Sequence, residues 1–138
     1  MKIYRLLNVL AAVCCSVFVA SAQNQQPTTP EEKEKQLLEF VDKEVQRLGS
    51  LLDLEYWQEF YVDSTLTHDY KAMTAELEEM QAAKVENADL YVNVQDKWMQ
   101  QMDDTYKRIF TPEQWAKYWK NGGKRAQDAR DKRNKKRK

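Results

Sequence analysis

Cysteine occurs only twice in the 138 residues, at adjacent positions 14 and 15. Beyond that pair no thiol is available for a disulfide or a soft metal site, so any fold formed by the rest of the chain is held by packing alone. Proline and glycine are each present three times. No Gly or Pro lies between positions 50 and 111. That scarcity argues against a hairpin-rich β architecture, as does the lack of alternating β-branched runs beyond the first residues. A single histidine, His68, cannot supply a zinc centre. After position 22 the only serines are Ser50 and Ser64, and no glycine-rich phosphate loop is present. No catalytic grouping is visible, and neither an enzymatic activity nor a cofactor or metal is expected.

The first residues, MKIYRLLNVLAAVCCSVFVASA (1–22), carry Lys2 and Arg5 ahead of an apolar run ending in Ala20-Ser21-Ala22. This pattern predicts a secretory signal peptide cleaved before Gln23, which places the product in the periplasm. Both cysteines leave with it. A lipoprotein anchor is disfavoured because Val13 stands before Cys14. Residues 23–29, QNQQPTT, are polar and predict a disordered leader.

Charge is unevenly spread. Residues 23–123 hold 11 Lys/Arg against 20 Asp/Glu, a net −9, whereas 124–138 hold 9 against 2, a net +7. A helical domain over 30–123 is therefore acidic, and 124–138 form a basic tail. That tail either extends as a solvated helix or stays disordered. Its cations are Lys124, Arg125, Arg130, Lys132, Arg133, Lys135, Lys136, Arg137 and Lys138. They suit an anionic envelope surface, an acidic partner, or the acidic body of the same chain or of a dimer mate. Export makes nucleic acid an unlikely partner.

Apolar periodicity predicts four helices and no strand. Thr29-Pro30-Glu31-Glu32 opens the first with a cap, a first-position proline and a returning carboxylate. Leu37, Leu38, Val41, Val45 and Leu48 follow in steps of three and four, and Gly49 supplies the stop. The second helix runs from about Leu54 to Gln81, roughly 40 Å at 1.5 Å per residue. Its stripe is Tyr56, Phe60, Leu66, Tyr70, Met73, Leu77 and Met80, interrupted at Asp63. The stretch 82–89 is the expected turn. The third helix, 89–109, carries Tyr91, Val94, Trp98, Met102, Thr105 and Ile109 on one face. The fourth, about 112–120, carries Trp115, Tyr118 and Trp119. The predicted fold is an all-α, elongated helical hairpin of two long and two shorter helices.

Chemistry-bearing residues are few. The pairs Glu78-Glu79 and Asp103-Asp104 predict solvated helix surface, and His68 a surface position. Aromatics are the more informative class. Trp57 and Tyr61 flank the stripe of the second helix, and Tyr118 and Trp119 stand on a helix too short to cover them. These four are the candidate partner-binding residues, because Tyr and Trp combine large apolar area with a polar edge.

Phe110-Thr111-Pro112-Glu113-Gln114 composes a capping box, with Phe110 and Trp115 placed as a hydrophobic staple and Gly122-Gly123 as the terminator. The same residues resemble the L-T-x-x-Q signature of Spy/CpxP-like periplasmic chaperones and envelope-stress proteins. That family carries the signature twice. Leu54-Glu55-Tyr56-Trp57-Gln58 occupies the comparable place at the start of the second helix, keeping Leu54 and Gln58 but with Glu55 in place of Thr. Phe110 stands in place of Leu. The resemblance implies a curved dimeric helical cradle that holds unfolded client proteins without ATP, using basic and apolar patches on its concave face. The acidic body departs from that charge pattern. The competing expectation is a structural or adaptor protein of the envelope, docked through its basic tail.

Overall fold

The computed structural model describes residues 29–136; the predicted signal peptide (1–22), leader residues 23–28, and Arg137 and Lys138 lie outside them. The described chain is all-α. It consists of α1 (Pro30–Leu52), α2 (Tyr56–Ala82), α3 (Ala88–Ile109), α4 (Pro112–Tyr118), a kinked turn (Trp119–Gly123) and α5 (Lys124–Lys136). No strand occurs among the described residues.

Local chemistry sets each helix start. The Thr29 hydroxyl accepts from the Glu32 backbone at 3.2 Å, and Glu32 accepts from the Thr29 N–H at 3.0 Å. Thr111 and Gln114 repeat the exchange at 3.2 and 2.9 Å ahead of α4. Asn87 caps α3 by accepting from the Asp89 N–H at 2.9 Å. Each box removes two of the orphan donors that a helix start leaves behind.

The end of α1 departs from the sequence expectation. Gly49 does not stop α1, which continues to Leu52. The left-handed position is Asp53, with φ 56°. The Leu54 N–H then donates back to the Gly49 carbonyl at 3.2 Å. α2 ends the same way: Lys84 has φ 53°, and Val85 donates to the Met80 carbonyl at 3.0 Å. Both are Schellman-type stops built without glycine. A Cβ at Gly49 would lie 2.4 Å from Glu59 Oε1, the movable end of a flexible side chain. The helix begun at Pro112 does break at Asn121 and Gly122, where the backbone leaves helical geometry, as the sequence predicts. Gly122 (φ 128°) lets the chain turn, and helix resumes at Lys124.

α2 and α3 form an antiparallel hairpin, cross-linked by Gln101 Nε2 donating to Asp69 (3.0 Å) and by Lys97 and Trp98 donating to Glu76 (2.6 and 2.8 Å). α1 lies antiparallel against α2, as the Lys71–Glu34 ion pair and the Phe40–Tyr70 edge contact show. The core sits between the three: Val41, Leu48 and Leu52 from α1, Val62 and Leu66 from α2, and Met102, Tyr106 and Phe110 from α3 and its end. Phe110 stacks on Tyr106 with ring centroids 5.2 Å apart, and Trp115 packs against the same cluster.

The stripe of α2 holds from Leu66 onward, with Leu66 and Met73 buried. It fails at Tyr56 and Phe60, which face away from the core. Gln58 and Val62 are the buried positions there. On α3 Met102 of the predicted stripe is buried, and burial extends one step round from it to Asp96, Asp103 and Tyr106. Tyr106 belongs to the core cluster, while α5 docks over Asp103 and Asp96 through Arg130 and Arg133. The basic segment over its described part is thus a helix folded back on the acidic body.

Candidate partner-binding surface

Two sets of contacts define the corner where α1 meets α2 and α3 meets α4. Gln58 and Gln114 are each the third residue of their helix. Gln58 Nε2 donates to Gln114 Oε1 at 2.7 Å, and Gln114 Nε2 returns a bond to Gln58 Oε1 at 3.0 Å. Each carbonyl oxygen also accepts from its own cap backbone, Glu55 N–H (3.0 Å) or Thr111 N–H (2.9 Å). Each amide donates once more across the corner, Gln58 to the Ile109 carbonyl (2.8 Å) and Gln114 to the Asp53 carbonyl (3.4 Å). Both carbonyls lie two residues before the opposite cap. All donor and acceptor positions of both amides are filled, which is why Gln58 tolerates full burial. The two motif glutamines therefore bolt the helix starts together. Leu54 and Phe110, which precede the two caps, both pack into the core cluster.

A second network holds α5. The Tyr118 hydroxyl donates to Asp103, and buried Arg130 pairs with the other oxygen of the same carboxylate. Arg133 forks onto Asp96 through Nε and Nη2. Burial first, and then the bond to Asp103, raise the Tyr118 hydroxyl well above the ordinary tyrosine range, so it remains a donor. The bond to Asp96 holds the Arg133 guanidinium charged. Asp103 was expected on a solvated face together with Asp104; only Asp104 is exposed. A sequence window cannot show that a carboxylate has a buried cation 27 residues downstream.

These placements revise the expected site. Tyr118 is half-buried and belongs to the core, with its ring edge-on to Tyr106 at 5.7 Å. Trp119 is half-buried, its ring centroid 5.4 Å from that of Trp115. Their ring contacts run to Tyr106, Phe110 and Trp115, whereas Trp57 and Tyr61 contact each other and Phe60. Arg130 is buried against Asp103, and Arg133, still part-exposed, is paired with Asp96, so neither is a free tail cation. Lys124 pairs with Asp128 at 2.7 Å.

In place of the four-residue grouping stands an arc on α2 alone. Tyr56 is 86% exposed, Phe60 61%, Tyr61 52% and Trp57 47%. Positions 56, 57, 60 and 61 cover the side of the helix opposite Gln58, Val62 and Leu66. The rings brace each other edge-on, Trp57 against Tyr61 at 6.1 Å and Phe60 against Tyr61 at 5.9 Å. The Trp57 indole N–H donates to the Glu55 carboxylate at 2.8 Å, so Glu55, where the signature has Thr, orients the arc. Glu59 and Asp63 follow the helix along the Tyr56–Phe60 edge and give it an acidic border. The exposed aromatic area is about 400–600 Å², taking ~150–250 Å² per ring side chain. That matches the largest apolar patches of ordinary monomers, which are often functional. It falls short of the ~800 Å² per side of a standard stable interface. Periodicity alone assigned Tyr56 and Phe60 to the core. The available signal was the excess of apolar residues on both sides of one helix.

His68 is exposed and bonds Asp69 through Nδ1 at 2.8 Å. Among the described residues, no group of three or more His, Cys, Asp or Glu side chains gathers to hold a metal ion. Nor is any helix among them long and apolar enough to cross a membrane. No family model, curated protein or solved structure matches the chain.

Proposed function

We propose that this is an exported, non-enzymatic helical protein that holds other proteins transiently through the aromatic arc of α2, in the manner of the Spy/CpxP-like chaperones it resembles. The observation that carries the reading is the exposure of Tyr56, Trp57, Phe60 and Tyr61 on the side of α2 turned away from its own core. Large amphipathic rings are the side chains that dominate protein–protein contacts. Their limited area suits release as well as capture. The acidic border selects client segments that mix apolar with basic residues, the reverse of the charge pattern the resemblance implies. Joining of the two signature glutamines, Gln58 and Gln114, supports the resemblance as well: it supplies a reason for the signature to occur twice.

Suppression of aggregation of an unrelated unfolded protein tests the proposal. The wild-type chain suppresses aggregation at near-stoichiometric ratio. Trp57→Ala combined with Phe60→Ala abolishes suppression without changing the unfolding midpoint, since both side chains lie outside the core. Trp119→Ala, away from the arc, leaves suppression intact. Wild-type failure, or full suppression by the double variant, would overturn the proposal.

A further inference from the structure

α5 sorts its cations by side. Arg130 and Arg133 turn inward to Asp103 and Asp96. Arg125, Lys132, Lys135 and Lys136 are exposed and make no ion pair among the described residues. At 3.6 residues per turn these four lie on the half of the helix opposite Arg130, over a run of about 16 Å. Where α5 begins, the kinked turn leaves an open cleft of about 530 Å³ lined by Trp119, Lys120, Gly122, Lys124, Arg125 and Asp128. No atom lies within 4 Å of where a Cβ on Gly122 would stand, so the backbone there is open to a ligand. Lys124, Arg125 and Asp128 of this cleft share the side of α5 that carries the lysines. Cleft and stripe form one surface.

We infer that this surface docks on a lipid bilayer bearing anionic head groups. Three features of this surface select that occupant. First, the exposed cations follow one side of a single helix, which suits a flat array of phosphates. Second, α5 carries no aromatic side chain and no apolar side chain larger than Ala126 and Ala129. It lacks the stacking platforms that single-stranded nucleic acid requires, and it cannot insert as an amphipathic helix does. Third, the one ring at the cleft is Trp119, the residue type that settles where head groups meet acyl chains. The cations bind phosphate and Trp119 sets the depth. Inward pairing of Arg130 and Arg133 holds the helix in the presenting orientation. This surface is independent of the aromatic arc on α2.

Vesicle co-sedimentation of the purified chain from Gln23 onward tests the inference, with phosphatidylcholine vesicles lacking or containing about 30 mol% phosphatidylglycerol. The expected result is preferential binding to the anionic vesicles, lost between about 50 and about 500 mM salt. The quadruple variant Arg125→Gln/Lys132→Gln/Lys135→Gln/Lys136→Gln loses at least ~10-fold in that preference while its helical circular dichroism stays unchanged. Anionic vesicles shift tryptophan emission to the blue, and Trp119→Phe removes the shift. Equal binding to both vesicle types, unchanged binding by the quadruple variant, or binding to an oligonucleotide without binding to vesicles would overturn it.

Discussion

The side-chain amides of Gln58 and Gln114, 56 residues apart in sequence, donate to each other at 2.7 and 3.0 Å. Each also closes its own helix cap and reaches a carbonyl beside the other cap. One residue type thereby performs a local and a long-range task with the same functional group. The corner angle between two helix pairs depends on it, and with it the direction in which the arc of α2 points.

Truncating either amide leaves its partner and a backbone carbonyl short of bonds at a buried site. Gln58→Ala is expected to cost about 2–4 kcal/mol in urea unfolding, the sum of an unsatisfied buried group and a small cavity. Gln114→Ala, at a half-buried position, costs less. A double-mutant cycle should show a coupling energy of about 1–3 kcal/mol. Additive losses would mean that the two caps act separately.

Asp103 joins Arg130 and Tyr118 in one buried cluster. Asp103→Ala strands the guanidinium in the interior and is expected to cost about 3–5 kcal/mol. Adding Arg130→Met removes the stranded charge and recovers part of that loss. Thermal unfolding of the three variants checks the order. If the double variant is the least stable, the ion pair holds α5 in place by more than charge balance.

The Tyr106 hydroxyl is buried and has no hydrogen-bond partner. Burial raises it far above the ordinary tyrosine range. Tyr106→Phe keeps the ring contacts with Phe110 and Tyr118 and removes the orphaned group. The variant is expected to be as stable as wild type or up to about 1 kcal/mol more stable, read from the urea midpoint. A loss of more than about 1 kcal/mol would mean that the hydroxyl is satisfied in solution.

Glu76 bonds Lys97 and Trp98 across the hairpin, and these bonds, Lys97 first, hold its carboxyl below the usual glutamate value. A carboxyl whose folded value is depressed stabilises the fold above its unfolded value, about 4.3, and loses that contribution as pH falls through the folded value. Glu76 is partly exposed, so the effect is under about 1 kcal/mol. Between about pH 5 and pH 3 wild type should lose more stability than Glu76→Gln. Parallel pH profiles for the two would show that the cross-hairpin bonds add nothing.

Helix identity was legible in the sequence because its causes are local. The boxes at Thr29–Glu32 and Thr111–Gln114 act over three residues, and the stripe from Leu66 to Met80 follows from the helical period. Two helix ends were less legible. Asp53 and Lys84 take left-handed backbone without being glycine, so no residue type announced them. Facing was decided only by the tertiary structure. Period and apolarity place Tyr56 and Phe60 on a stripe, but a stripe has no inside until a second helix arrives. Gln58 drew that side of α2 inward because its amide found Gln114 waiting, and so turned the aromatics out. Asp103 became a core residue, and the basic segment an internal strap, only because Arg130 lies within reach once the chain turns at Gly122. Burying an amide or a charge is costly without a partner, and only the folded chain brings those partners together.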